Sequence, residues 1–172
     1  MRDRERGKRE IVLFVVKYVL FLLFFLLIIG IEDFRNILDL NGVYTDFTIR
    51  ILVFLFKSLG MKVSSHGTTV TVGGFSMNVL FGCNGLEAFF IYSAGVLAFK
   101  SDLRTKVIGM LLGLFFIEIV NMLRLLFLGF IGVFYSKYFD YFHIYIAQGI
   151  MIAVALGVFM WYLSYASNEG GS

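Results

Sequence analysis

The chain has 172 residues, of which 59% are hydrophobic, 18% aromatic and only 16% charged. A soluble domain of this length needs far more charge to wet the surface around its core, so the composition excludes that class and points to a membrane protein. The net charge of +3 gives no reason to expect a nucleic-acid partner, and a single cysteine, Cys83, excludes an internal disulfide.

The first ten residues, Met1–Glu10, are charged and read as a solvated cytoplasmic tail. Ile11–Ile31 is an apolar run matching the roughly 20 residues that cross a bilayer. Lys17 lies near enough to its start to snorkel. The run is too long for a signal-peptide core and no small-residue cleavage site follows, so it is expected to stay as an anchor. Glu32–Asp46 is polar and amphipathic, a loop or surface helix. Phe47–Gly60 is apolar but spans only roughly 21 Å as a helix. Arg50 and Lys57 share one face of it, which fits a helix lying flat in the interface.

A two-residue period follows. Val70 and Val72 alternate with threonines, and Phe75, Met77, Val79 and Phe81 with small or polar residues. His66-Gly67 and Gly73-Gly74 read as turns, so Met61–Phe81 is expected to form a small β-meander, with His66 structural. Open sheet edges are not tolerated in hydrocarbon, which puts the meander outside it.

Leu86–Phe99 reads as a second span, reaching full length only if its helix starts near Cys83. Lys100–Lys106 is a basic loop. Val107–Gly129 is the third span, with Gly109 and Gly113 at close-packing spacing, and Tyr135–Phe142 is an aromatic connection of interfacial character. His143–Leu163 is the fourth span, and residues 167–172 read as a disordered tail. The expected architecture is therefore an α-helical polytopic membrane protein, with about four transmembrane helices, an interfacial helix and a small extracytoplasmic β-meander. The N-terminal tail and the Lys100–Lys106 loop carry the densest positive clusters and both belong in the cytoplasm. That requires an even number of spans between them, which holds if Phe47–Gly60 does not cross. The meander and the Tyr135–Phe142 connection then both face outward.

On that topology three chemically capable side chains reach one depth. Cys83 precedes the second span, Arg124 lies near the outer end of the third, and His143 opens the fourth. Taken singly, each has an ordinary reading: a small apolar filler, a snorkelling arginine, an amphipathic boundary residue. Their shared level weakens all three. Arg124 also continues a helix face with Asn121 and Glu118, and such a polar row in lipid faces a bundle interior or a wet cavity. The chemistry these groups support is acyl transfer. A thiol at a helix start gains from the helix dipole, an imidazole can take its proton and return it to a leaving amine, and a fixed guanidinium can stabilise an oxyanion. A neutral Cys–His pair and an ion pair both fit the sequence. Cys83 with the two histidines offers no recognisable metal spacing, and no cofactor motif is present.

The segments Phe81–Ala88, Glu118–Leu125 and Phe139–Gln148 resemble the Cys-Asn/Ser-Gly, Asn-x-x-Arg and His motifs of the exosortase/archaeosortase family, in the same order. The likeness runs from about Asp39 to Leu163 and is most similar to the compact exosortase H subgroup. The resemblance implies a single membrane-embedded, exosortase-like domain over residues 1–172. It also implies a cysteine transpeptidase of the cell membrane with its active site on the extracytoplasmic face. Its partners would be the C-terminal sorting signals of exported proteins, made of a motif, a transmembrane helix and a basic cluster. Cleavage would pass through a cysteine thioester to a lipid or glycan acceptor. Cys83 would be the nucleophile, His143 the base and acid, and Arg124 the transition-state stabiliser, with Asn84, Asn121, Glu87 and Glu118 in support. The competing reading is a non-catalytic membrane subunit that binds a partner helix. A transporter is disfavoured, because the polar residues gather at one interface and do not line a path across.

Overall fold

The computed structural model describes residues 2–31, 42–80 and 83–169. Most of the polar Glu32–Asp46 segment, Phe81 and Gly82 of the cysteine motif, and the last three residues lie outside the described residues.

Helix α1 spans Arg2–Gly30. The expected solvated tail is thus a continuation of the first helix. Arginine, glutamate and lysine are good helix formers, and a helix nucleated in the apolar run extends back through them. Helix α2 spans Val43–Ser58 and buries Thr45, Thr48, Ile49, Leu52 and Phe56, the three-and-four spacing of one helical face. Its last turn closes through backbone bonds from Leu59, Gly60 and Met61 back to Leu55, Lys57 and Phe56. On the opposite face an exposed Arg50–Asp46 pair closes at 2.8 Å.

Strands β1 (Val63–His66), β2 (Thr69–Val72) and β3 (Phe75–Asn78) form an antiparallel meander in sequence order. Its register pairs Val70 with both Ser65 and Met77. Val70, Val72 and Met77 face inward, while Thr71 and Ser76 share a hydrogen bond of 2.8 Å outside the core. His66 ends the edge strand β1 and is exposed.

Helix α3 spans Leu86–Ala98 and helix α4 spans Leu103–Tyr135, longer at both ends than the apolar run Val107–Gly129. Asp102 is the reason at the start, because its side chain caps α4 by accepting from the Thr105 amide at 3.1 Å. A short helical connection follows, with a 3₁₀ turn at Ser136–Tyr138, one α turn at Phe139–Tyr141 and a π turn at Phe142–Ala147. Helix α5 then runs from Gln148 to Glu169. Residues 167–169 are therefore helical rather than a disordered tail, because buried Tyr162 and Ala166 hold the last turns against the bundle.

Helices α4 and α5 form an antiparallel pair. Gly109 lies under the Tyr162 ring near one end, and Phe127 meets Phe142 at 5.9 Å near the other. Gly113 similarly admits Tyr92 of α3, whose hydroxyl donates to the Gly109 carbonyl at 2.7 Å. Helix α1 leans on α3, with Phe25 stacked on Phe90 at 5.0 Å. Among the described residues, Gly7–Ile28 and the helical run Leu103–Ser167 are long and apolar enough to cross a membrane, and Leu86–Ala98 is apolar but shorter.

The interior divides into two cores. One joins α2, the sheet and the C-terminal half of α4 around Leu52, Phe56, Val70 and Leu125. The other joins α3, α5 and the N-terminal half of α4 around Tyr92, Ile117, Met151 and Tyr162. The Cys83–Gly85 turn enters at the seam between them.

Candidate active site

The turn is shaped by its own small residues. Asn84 is fully buried, and its Oδ1 accepts from the Leu86 amide at 3.3 Å, closing the bend that starts α3. Gly85 caps that helix at φ +85°, a left-handed conformation that glycine adopts without strain. There is no room for a side chain there, since a Cβ would meet Glu118 Oε1 and the Asn121 amide group of α4.

This bend aims Cys83 across the seam. Its Sγ lies 2.6 Å from Nε2 of His143 in the π turn. The Arg124 guanidinium of α4 hydrogen-bonds the same sulfur. Thiol, imidazole and guanidinium therefore meet at one point, although 60 residues separate Cys83 from His143. Burial pushes the Cys83 thiol up from its ordinary value, and the positive charge of Arg124 pulls it the other way.

The imidazole is steered by stacking. Phe139, one turn earlier, lies over His143 at 5.6 Å and 19°. Phe139 in turn meets Phe75 of β3 at 4.7 Å, and Phe75 fills the gap above Gly132 of α4. The sheet thus fixes the histidine through two rings. Glu87, in the first turn of α3, accepts from Gln148 Nε2 at 2.9 Å. Glu87, Gln148 and Arg124 line a small pocket together with Gly85 and Met151. On its other side Arg124 borders an apolar cleft of about 200 Å³ between α4 and α5, walled by Leu123, Phe127, Phe142 and Ile150. Glu118 accepts a hydrogen bond from Tyr44 of α2. Asn121, fully buried beside it, packs under Gly85. All seven residues singled out in the sequence therefore sit around one turn. Among the described residues no cluster of His, Cys, Asp and Glu side chains is arranged to hold a metal ion.

A family model described as transmembrane exosortase matches residues 10–167. The chain belongs to the transmembrane exosortase family. Searches of curated proteins and of solved structures gave no match. Membership of the exosortases makes the chain a membrane protein and, in general terms, a membrane transpeptidase. In this exosortase the sequence reading missed Tyr44, Thr45 and Gln148. Gln148 stood inside a quoted motif segment, and its amide near the start of an apolar helix was a usable signal. Tyr44 and Thr45 lie in a stretch that reads as a polar loop or surface helix, and nothing in their residue types marks them.

Proposed function

We propose that the chain is a four-span cysteine transpeptidase acting at the extracytoplasmic membrane surface on the C-terminal tails of exported proteins. The observation that carries this reading is the shared contact of the one cysteine with an imidazole, at 2.6 Å, and with a buried guanidinium. Cys83 Sγ attacks the scissile carbonyl as its proton passes to His143 Nε2. The carbonyl oxygen gains charge beside Arg124, which supplies fixed donors in a poorly hydrated site. Collapse breaks the C–N bond, the leaving amine takes the proton from His143, and an acyl thioester remains on Cys83. A nucleophilic hydroxyl or amine of a lipid or glycan acceptor then attacks the thioester, gives its proton to His143, and the thiolate recovers it as the sulfur leaves.

The topology is supported by length. Helix α4 has 33 residues and so extends roughly 50 Å, well beyond a hydrocarbon layer of about 30 Å. Arg124 lies roughly 31 Å from its start, at the far boundary, and the turns beyond it carry α2 and the sheet. Positive Lys100, Arg104 and Lys106 at the near end mark that side as cytoplasmic.

The test is co-expression with an exported reporter that ends in a motif, a hydrophobic helix and a basic cluster. Tail loss with wild type and a reporter adduct on Cys83 by intact mass are expected, with both absent in Cys83→Ala and His143→Gln. Tail loss that persists in Cys83→Ala removes the proposed nucleophile.

A further inference from the structure

Helix α2 reaches the site through two side chains that the chemistry above does not use. Asn84 Nδ2 donates to Thr45 Oγ1 at 3.1 Å, and Thr45 is itself 1% exposed. The next contact is one residue away, where the Tyr44 hydroxyl donates to the Glu118 carboxylate. These two bonds tie α2 to the residues that hold the turn. Asn84 is held from the α2 side, while Glu118, with Asn121, forms the wall on which Gly85 rests. The same Asn84 side chain accepts from Leu86, so Thr45 fixes the amide that sets the bend, one residue after the thiol. The rest of α2 cannot swing freely, because Leu52 and Phe56 anchor it in the core shared with the sheet and α4.

We propose that Thr45 and Tyr44 are positioning residues, which act through Asn84 and Glu118 to hold the Cys83–Gly85 turn so that the thiol stays on His143 and Arg124. The proposal rests on the transpeptidase reading of that site. It assigns α2 a task in the reaction besides packing, and predicts that the site loosens from its α2 side while the two cores stay intact. Loss of a single buried hydrogen bond of this kind shifts the population of the seated turn by about three- to tenfold. The charged and titratable groups around the sulfur are Arg124 and Glu118 on α4, Glu87 on α3, and His143 with Asp140 on the connection.

The experiment reads Cys83 directly, because it is the only thiol in the chain. Full-length protein in detergent micelles is alkylated with iodoacetamide across pH 5–10 and followed by intact mass, alongside a thermal midpoint by size exclusion. Thr45→Val is expected to change the rate at neutral pH about three- to tenfold and to shift the alkylation midpoint, as the sulfur leaves its seat between the guanidinium and the imidazole. Thr45→Ser, which keeps the hydroxyl, restores both, and Tyr44→Phe shifts them in the same direction. An unchanged profile in Thr45→Val overturns the clamp while leaving the Cys83–His143–Arg124 reading in place. A profile in Thr45→Val that changes only in step with a collapsed thermal midpoint, without Thr45→Ser rescue, also overturns it. An unchanged profile in Arg124→Gln sinks the clamp and the transpeptidase site together.

Discussion

Substituting alanine at Gly85 and at Gly67 separates two costs that are usually confounded. Both glycines have a left-handed backbone, φ +85° and φ +55°. An alanine in that region costs roughly 1–2 kcal/mol wherever it stands. At Gly67, in the exposed turn between β1 and β2, a Cβ meets nothing within 4 Å, so the backbone cost is the whole effect. At Gly85 the same atom meets Glu118 Oε1 and, at 3.0 Å, the Asn121 amide. Neither neighbour yields easily, since Glu118 is held by Tyr44 and Asn121 is fully buried. Overpacking of this kind adds about 1–3 kcal/mol. Gly85→Ala should therefore lose about 2–5 kcal/mol against about 1–2 for Gly67→Ala. At about 2–4 °C per kcal/mol for a chain of this size, thermal midpoints in detergent should resolve the difference. Gly85→Ala should also slow alkylation of Cys83, because the new methyl lifts the turn off its wall. Equal losses at the two positions, or an unaltered Cys83 in Gly85→Ala, would refute the close approach of α4 to the turn.

Two further perturbations address other parts of the site. Phe139→Leu keeps most of the volume but removes the ring between Phe75 and His143, and each such aromatic pair is worth about 0.5–1.5 kcal/mol. Reporter cleavage should fall several-fold with the thermal midpoint within a few degrees of wild type, and full activity would show that the ring does not steer the imidazole. At the opposite end, the hydroxyl and amide of Thr105 hold the Asp102 carboxyl below the usual carboxylate range. A depressed carboxylate adds stability above its unfolded value and loses it as the pH falls through the folded one. Asp102→Asn keeps an acceptor for the cap and should remove that acid-dependent part of the melting profile, which would persist unchanged if the carboxylate were not the capping group.

The sequence announced the polar cluster better than its surroundings. Cys83, Arg124 and His143 are residue types that stand out in apolar helices, and the structure brings the three into contact. The row Glu118, Asn121 and Arg124 was legible because helical spacing puts it on one face. The turn pattern of glycines around Val70 and Val72 likewise announced a meander. Helix ends were less visible. The apolar run in α4 stops short of both ends, since Asp102 sets the start through a cap, and charged Arg104 and Lys106 belong to the helix ahead of that run. Tyr44 and Thr45 were invisible for another reason. Their place beside Glu118 and Asn84 follows from how α2 docks on α4 and β1, a long-range event with no local pattern. Phe75 and Phe139 were two among 21 phenylalanines, and only the fold singles them out.

The wide turn at Phe142–Ala147 has a phase consequence. In unbroken α geometry, side chains five positions apart point roughly 140° away from each other. Histidine 143 and glutamine 148 are five apart, yet one reaches the sulfur ahead of α3 and the other the carboxylate in that helix's first turn. The additional residue accommodated by a π turn brings such a pair round to the same side. One local irregularity thereby lets a single helix entrance address two partners on its neighbour, and both alignments stand or fall with the residue count between them.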